Sequence, residues 1–286
     1  MAHEEQLAWE ARAGKPVALV AFAAAFMAIA SGIYLQAAAR GADGADEYLR
    51  EVDQHPTDFI IGGVLVAVAS LLVLPVLVYL YRATRYRRRE LMPAALYLTL
   101  LGAAAIAVVS VWRYVELTSV ADDFFPFTGT DAKDAAEDEL RDALPSVIQA
   151  VGLAGSISIA FGIVMISLNA MRAGLFSRFM GIIGIFVGIL LVIPLGVQIL
   201  QLFWFAALGL LFLDRWPGGR GPAWQTGEAI PWPGAQQQRE EIERRRAERE
   251  GLLEPEEPQA DAEPESDPQA EPDVQRPSSR KRRKKR

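Results

Sequence analysis

The sequence predicts an all-α fold, a polytopic transmembrane helix bundle of six spans with a largely disordered cytoplasmic tail. The first observation is the stretch Gly181–Leu213, which carries no charge and is too long for a helix of a soluble core. The second is that four further apolar runs precede it, separated by loops that are mostly acidic or basic. The third is a final segment rich in Pro, Glu and Asp, a composition that does not support a packed core.

The first predicted span is residues 17–39, which follows a polar cytoplasmic leader at residues 1–16. The alanines at positions 37–39 resemble the cleavage site of a secretory signal, so a cleaved signal is an alternative. The apolar run is longer than the usual core of about 7–15 residues in such signals, and glutamates precede it. We therefore favour a retained anchor.

The next three spans are predicted at residues 59–81, 94–112 and 146–168. The second ends in tyrosines and the third in a tryptophan, residue types that favour the headgroup level of a bilayer. Outer loops are expected at residues 40–58 and 113–145, and both are rich in acidic residues. Within the longer loop we predict a short acidic helix whose apolar side faces the membrane surface.

The long uncharged stretch is predicted to cross twice, as spans 179–193 and 197–213. A single helix over this stretch would reach roughly 50 Å, which exceeds a hydrocarbon core of about 30 Å. Pro194 and Gly196 lie at its middle, where proline disfavours a continuous helix and glycine permits a reversal. The alternative is one kinked helix that crosses once.

Loop charge predicts the orientation in the plasma (inner) membrane. Residues 82–93 and 169–178 are the basic loops, and basic loops stay in the cytoplasm. Six spans then place both termini in the cytoplasm. The cytoplasmic part would comprise a Trp/Pro-rich juxtamembrane segment and charged helix at residues 214–250, followed by a disordered acidic and Pro-rich tail with a basic end at residues 251–286.

Composition argues against most kinds of catalytic site. There is no cysteine, histidine is limited to His3 and His55, and no Asp, Glu, Lys, Arg or His lies within the predicted spans. No phosphate-binding or nucleophile-elbow motif is present. We therefore predict that the protein is not an enzyme and has no catalytic residue, metal or cofactor.

A polar pocket near the outer face is one candidate site, formed by Gln149, Gln198 and Gln201. Hydrogen bonding between helices is the alternative role of these amides. Such a pocket would fit a small permease for a neutral or lipophilic solute.

The main hypothesis is a non-catalytic membrane protein whose tail contacts anionic lipid headgroups or a cytoplasmic protein. Nucleic acid is the less favoured partner. Stripes of small residues on the spans could also pack two copies of the chain together, so a homo-oligomer is an alternative. The candidate contact residues are arginines of the inner loop, tryptophans of the juxtamembrane segment and basic residues of the terminus: Arg85, Arg87, Arg88, Arg89, Trp216, Trp224, Trp232, Arg282, Arg283 and Lys284.

Two short motifs carry a resemblance to known proteins. The first joins Arg172, Gly174, Leu175, Arg178 and Gly181 before the fifth span, and the second is the tryptophan stretch WPGGRGPAWQTGEAIPWP. Together with the six-span plan, they resemble uncharacterised multi-pass membrane proteins of high-GC actinobacteria. The resemblance implies a membrane helix bundle and no activity.

Overall fold

A computed structural model describes residues 3–124, 132–142, 145–192, 198–232, 243–244 and 246–247. The chain divides into two compact units, Met1–Trp232 and Pro233–Arg286. Most of the predicted charged helix, the predicted disordered tail and the terminal Arg282, Arg283 and Lys284 lie outside the described residues.

Every regular element in the described part of the chain is an α-helix. The helices are α1 His3–Ala38, α2 Ala45–Gln54, α3 Pro56–Arg87, α4 Pro93–Phe124, α5 Ala132–Asp142, α6 Ser146–Arg172, α7 Arg178–Val192, α8 Gln198–Phe212 and α9 Pro222–Thr226.

Four helices, α1, α3, α4 and α6, are long and apolar enough to cross a membrane. Their outer faces carry exposed apolar side chains, as on α1, where Leu19, Phe26 and Ile33 are 63–70% exposed at seven-residue spacing. Such a surface requires an apolar surrounding, and the protein is therefore a membrane protein. α7 and α8 are also apolar, and 15 residues of each are described.

Successive apolar helices run in opposite directions. Tyr79 near the end of α3 donates a hydrogen bond to the backbone of Glu10 near the beginning of α1, while Gly62 of α3 packs against Leu35 near the end of α1. The following helix pairs are antiparallel in the same way, through the contacts Gly63–Tyr114, Ser70–Ala103, Gly152–Val109, Gly162–Ala95, Gly181–Met171 and Gly188–Ala160.

α8 runs back along α1. Gly209 contacts Phe22, and Gly14 near the beginning of α1 lies against the Phe212 carbonyl at the end of α8. The end of α8 therefore lies at the same end of the bundle as the beginning of α1. α8 thus runs in the opposite direction to α7. The connection at residues 193–197, where we predict a turn, lies outside the described residues.

Helix ends differ from the predicted span boundaries. α1 begins at His3 and includes Pro16, so the predicted polar leader is helical and continuous with the first span from His3 onward. α3 and α4 continue beyond the predicted ends of their spans to Arg87 and Phe124. Apolar composition indicates the part of a helix that suits lipid, whereas polar residues can extend the same helix beyond it.

The predicted outer loops fold into a small helical layer. The sequence analysis predicted the helix in the longer loop but not α2. α2 lies within residues 40–58 and buries Leu49 and Val52 against Phe59 and Leu117. α5 has the predicted short acidic character, but Ala136 is buried in this same cluster. The prediction that α5 turns its apolar side to the membrane surface was therefore wrong, because the apolar faces of α2, α4 and α5 cover one another.

Burial raises the pKa values of two side chains in this helical layer. It raises the pKa of Tyr48, whose ring packs edge-on against Phe59, to about 12. The pKa of Asp53 is also raised, first by burial and then by the neighbouring carboxyl group of Asp122.

Small residues set the distances between the membrane helices. A Cβ added to Gly102 on α4 would lie 2.6 Å from the Gly155 carbonyl oxygen and 2.7 Å from the Ile159 amide nitrogen on α6. These are backbone atoms, so they cannot move aside without a shift of the helix. In lipid such close approach supplies much of the attraction between helices.

We expect Gly102→Ala to lower the free energy of unfolding by about 1–3 kcal/mol, because the added methyl group would force α4 and α6 apart. Thermal unfolding of the detergent-purified protein measures this loss. Gly152→Ala is the matched control at the same helix pair, since its Cβ would meet only the Val109 side chain, at 3.2 Å. Equal unfolding temperatures for both variants would contradict the proposed role of Gly102.

Candidate functional site

A cavity of about 340 Å³ lies among the six apolar helices. Most of its lining is aliphatic or aromatic, and no charged side chain of the described residues lines it. Each of the six helices contributes to the lining: Ala28, Ser31, Gly32 and Leu35 of α1, Val66, Ala69, Ser70 and Val73 of α3, Ile106 and Tyr114 of α4, Ile159 and Ile163 of α6, Leu191 of α7, and Gln201 and Phe205 of α8.

The polar groups of the cavity differ in how far their hydrogen-bonding capacity is used. Ser31 donates to the Ala28 carbonyl at 3.1 Å, and Ser70 donates to the Ala67 carbonyl at 2.9 Å. Among the described residues, no hydrogen-bond partner is found for the Gln201 amide. A primary amide has two donors and an acceptor oxygen, so Gln201 can bind a ligand group from within an apolar pocket.

The predicted glutamine pocket is only partly assembled. Gln201 lines the cavity, whereas Gln149 is exposed near the beginning of α6 and does not line it. The side chain of Gln198 lies outside the described residues. The sequence could not indicate which residues surround Gln201, because they come from five other helices.

A buried arginine organises the end of the bundle where α1 begins. The Arg87 side chain is fully buried and forms a two-pronged ion pair with Glu10, at 2.6 Å and 2.9 Å. It also donates to the backbone carbonyls of Ala83 and Ala223. These five hydrogen bonds use all five N–H donors of the guanidinium group, so the buried charge is fully satisfied.

The sequence analysis missed Glu10 as the partner of Arg87. Gln6 donates to the Glu10 carboxylate at 2.9 Å, and the Tyr79 hydroxyl donates to the Glu10 carbonyl at 3.0 Å. The available signal was the four-residue spacing of Gln6 and Glu10, which places both on one face of a helix. We had predicted Arg87 as a lipid or partner contact, but its burial leaves no part of the side chain at the surface.

The three tryptophans that we predict as lipid or partner contacts pack against other residues of the protein itself. Trp224 is buried and donates to the Leu175 carbonyl at 2.9 Å, and half-buried Trp232 donates to the Gly174 carbonyl at 3.0 Å. Trp216 is half-buried, with its ring edge-on to Phe203 of α8. The segment after α8 thus folds back onto the connection between α6 and α7.

Gly174 is required for this docking. Its φ is +79°, a conformation that side chains disfavour, and an added Cβ would lie 1.8 Å from the Ile230 carbonyl oxygen. The two motifs that carried the resemblance, around Gly174 and around the tryptophans, therefore contact each other in the structure.

The remaining arginines of the α3 end lie nearer the surface. Arg85 donates to the Tyr81 hydroxyl, Arg88 pairs with Glu90, and Arg89 is exposed.

In the described part of the chain, no group of three or more His, Cys, Asp or Glu side chains could hold a metal ion. The absence of enzyme activity and of a cofactor stays a prediction.

We expect Glu10→Leu to lower the free energy of unfolding by about 3–5 kcal/mol, because it leaves the buried Arg87 charge without its counter-ion. Thermal unfolding in detergent measures the loss, and limited proteolysis should show earlier cleavage within residues 213–232. The double variant Glu10→Leu/Arg87→Met should lose less than Glu10→Leu alone, since the unpaired charge is removed. A double variant less stable than the single one would contradict this account.

Comparison with known proteins identifies a family but no activity. Residues 17–213 match the model of a domain of unknown function, DUF4386. No curated protein and no solved structure matches the chain. The expectation of an uncharacterised family is confirmed, whereas the actinobacterial origin stays a prediction. Since the match covers more than half of the chain, the protein belongs to the DUF4386 family, whose domain has no known function.

Proposed function

We propose that the protein is a non-catalytic membrane protein that binds a neutral, lipophilic molecule in the cavity among its six apolar helices. The observation that carries this proposal is the Gln201 amide, which lines a largely apolar cavity and has no hydrogen-bond partner among the described residues. A small permease for such a solute is the corresponding transport role.

The lining defines the chemical class of the ligand. Aliphatic and aromatic side chains favour a hydrocarbon body, and the lack of a lining charge disfavours an ion. Gln201, with the hydroxyl groups of Ser31, Ser70 and Tyr114, favours one polar group such as a hydroxyl or carbonyl. The volume of about 340 Å³ lies at the lower end of the range of about 300–1,000 Å³ for ligand pockets.

The proposal includes six crossings of the plasma membrane, with both termini in the cytoplasm. The opposite directions of α7 and α8 support two passes. The arginines at the end of α3 and around the α6–α7 connection lie at the end where α1 begins, which supports a cytoplasmic position for that end.

Contact of the tail with anionic lipid or a cytoplasmic protein belongs to residues beyond Trp232. The docked positions of Trp224 and Trp232 support an internal role for these two side chains. The basic terminus with Arg282, Arg283 and Lys284 keeps its predicted role as a lipid or partner contact.

We expect a bromo-substituted long-chain alcohol to bind the detergent-purified protein and to quench the fluorescence of Trp204, which lies beside the cavity residue Phe205. Ala69→Phe should abolish saturable quenching, because the added ring fills the cavity. Gln201→Leu keeps the volume but removes the amide, and should weaken binding by about three- to tenfold, the effect of one hydrogen bond.

Ala104→Phe is the matched control for added bulk, because Ala104 is exposed on the outer side of α4. This variant should bind the alcohol as the parent protein does. Unchanged binding in Ala69→Phe, or an equal loss in Ala104→Phe, would refute a site in the cavity.

Reporter fusions should place the end of the chain in the cytoplasm. A green fluorescent protein fused after Arg286 is expected to be fluorescent, whereas alkaline phosphatase at the same position is expected to be inactive. Phosphatase inserted after Gly41 is the control, and it should be active. Active phosphatase after Arg286 would mean that α7 and α8 together cross once.

A further inference from the structure

A second, basic pocket of about 380 Å³ lies at the end of the bundle where α1 begins. Three arginines of α3 and the following turn line it, together with two tyrosines and one glutamine: Arg82, Arg85, Arg89, Tyr81, Tyr86 and Gln6. The volume is many times the share of about 30 Å³ that one water takes in the liquid, so it can hold a group larger than water.

Aromatic rings hold two of these arginines. The Arg82 guanidinium lies 4.5 Å from the centre of the Trp9 ring, and the Arg85 guanidinium lies 5.8 Å from that of Tyr81. Arg85 also donates to the Tyr81 hydroxyl. Stacking restricts these long side chains before any ligand binds, which lowers the entropy cost of binding.

In the part of the chain that the structure describes, no acidic side chain lines the pocket. Among the described residues, the carboxylate of Glu10 is bound by Arg87 and Gln6, and that of Glu90 by Arg88. None of the ion pairs in the described part of the chain involves Arg82, Arg85 or Arg89. The described residues thus provide no counter-ion for these three positive charges.

We propose that this pocket binds a phosphate group, and specifically the phosphodiester headgroup of an anionic lipid. Guanidinium groups match phosphate oxygens with paired hydrogen bonds, and the hydroxyl of Tyr86 and the amide of Gln6 lie in the same lining. The site is separate from the cavity of the proposed function and does not depend on it.

The position of the pocket on α3 favours a lipid over a soluble phosphate. The apolar part of α3 ends at Tyr81, Arg82 and Arg85 follow within the same helix, and Arg89 lies in the turn after it. On α1, Gln6 likewise precedes the apolar stretch that begins near Val17. Both helices therefore pass the headgroup level of a bilayer at this pocket, where basic pockets between membrane helices bind lipid phosphates.

The test is calorimetric titration of the full-length, detergent-purified protein with short-chain phosphatidylglycerol. Phosphatidylcholine with the same chains and inorganic phosphate are titrated in parallel. We expect saturable binding of phosphatidylglycerol that weakens by at least about tenfold in the variant Arg82→Gln/Arg85→Gln/Arg89→Gln, because charge-assisted hydrogen bonds are lost.

A charge-matched control is Arg12→Gln/Arg50→Gln/Arg113→Gln, which removes three charges at exposed positions that do not line the pocket. It should bind the lipid as the parent protein does. Equal weakening in both triple variants, or no saturable binding to the parent protein, would overturn the site. Equal affinity for phosphatidylglycerol and phosphatidylcholine would overturn the selectivity for an anionic lipid. Inorganic phosphate that binds as tightly as phosphatidylglycerol would overturn the assignment to a lipid.

Loss of the arginines could also alter membrane insertion, because basic residues set the orientation. The variant Arg82→Lys/Arg85→Lys/Arg89→Lys keeps the charge but replaces the planar fork by single ammonium groups. We expect it to insert normally and to bind phosphatidylglycerol more weakly than the parent protein. Unchanged affinity in this variant would overturn recognition by the guanidinium groups.

Discussion

The buried guanidinium of Arg87 is the interaction on which the end of the bundle depends. Its ion pair joins α3 to Glu10 of α1, and its hydrogen bonds to Ala223 join both helices to the segment after α8. A charge that is buried without partners would cost several kcal/mol, so the three elements stabilise the fold only when they are together. The centre of the Trp224 ring lies 5.6 Å from the guanidinium carbon of Arg87, so the ring packs against the same cluster.

The rest of the bundle obeys a different constraint. Apolar helices in lipid gain little from mutual burial of hydrocarbon, so close backbone approach must hold them together. Gly102, Gly162 and Gly188 meet backbone or short side chains of the adjacent helix, which leaves no room for a methyl group. The cavity lies among α1, α3, α4, α6, α7 and α8.

The cavity and the buried Glu10–Arg87 ion pair relate differently to the family domain. All residues that line the cavity fall within the matched residues 17–213, whereas Gln6, Glu10 and Ala223 lie outside them. The cavity is thus a feature of the domain itself. The buried ion pair is formed between the domain and the segments that precede and follow it, which tie its end together.

The sequence by itself determined the helical class, the membrane environment and the approximate places of the apolar helices, because hydropathy is a local property of each segment. It also indicated a candidate polar pocket of Gln149, Gln198 and Gln201 and a basic loop after the second span. It did not determine that Arg87 is buried, that Trp224 and Trp232 dock on backbone carbonyls, or that α2 packs against α4. Only the tertiary structure decided these points, since each depends on partners far apart in the chain, and the same side chain can face lipid, water or another helix.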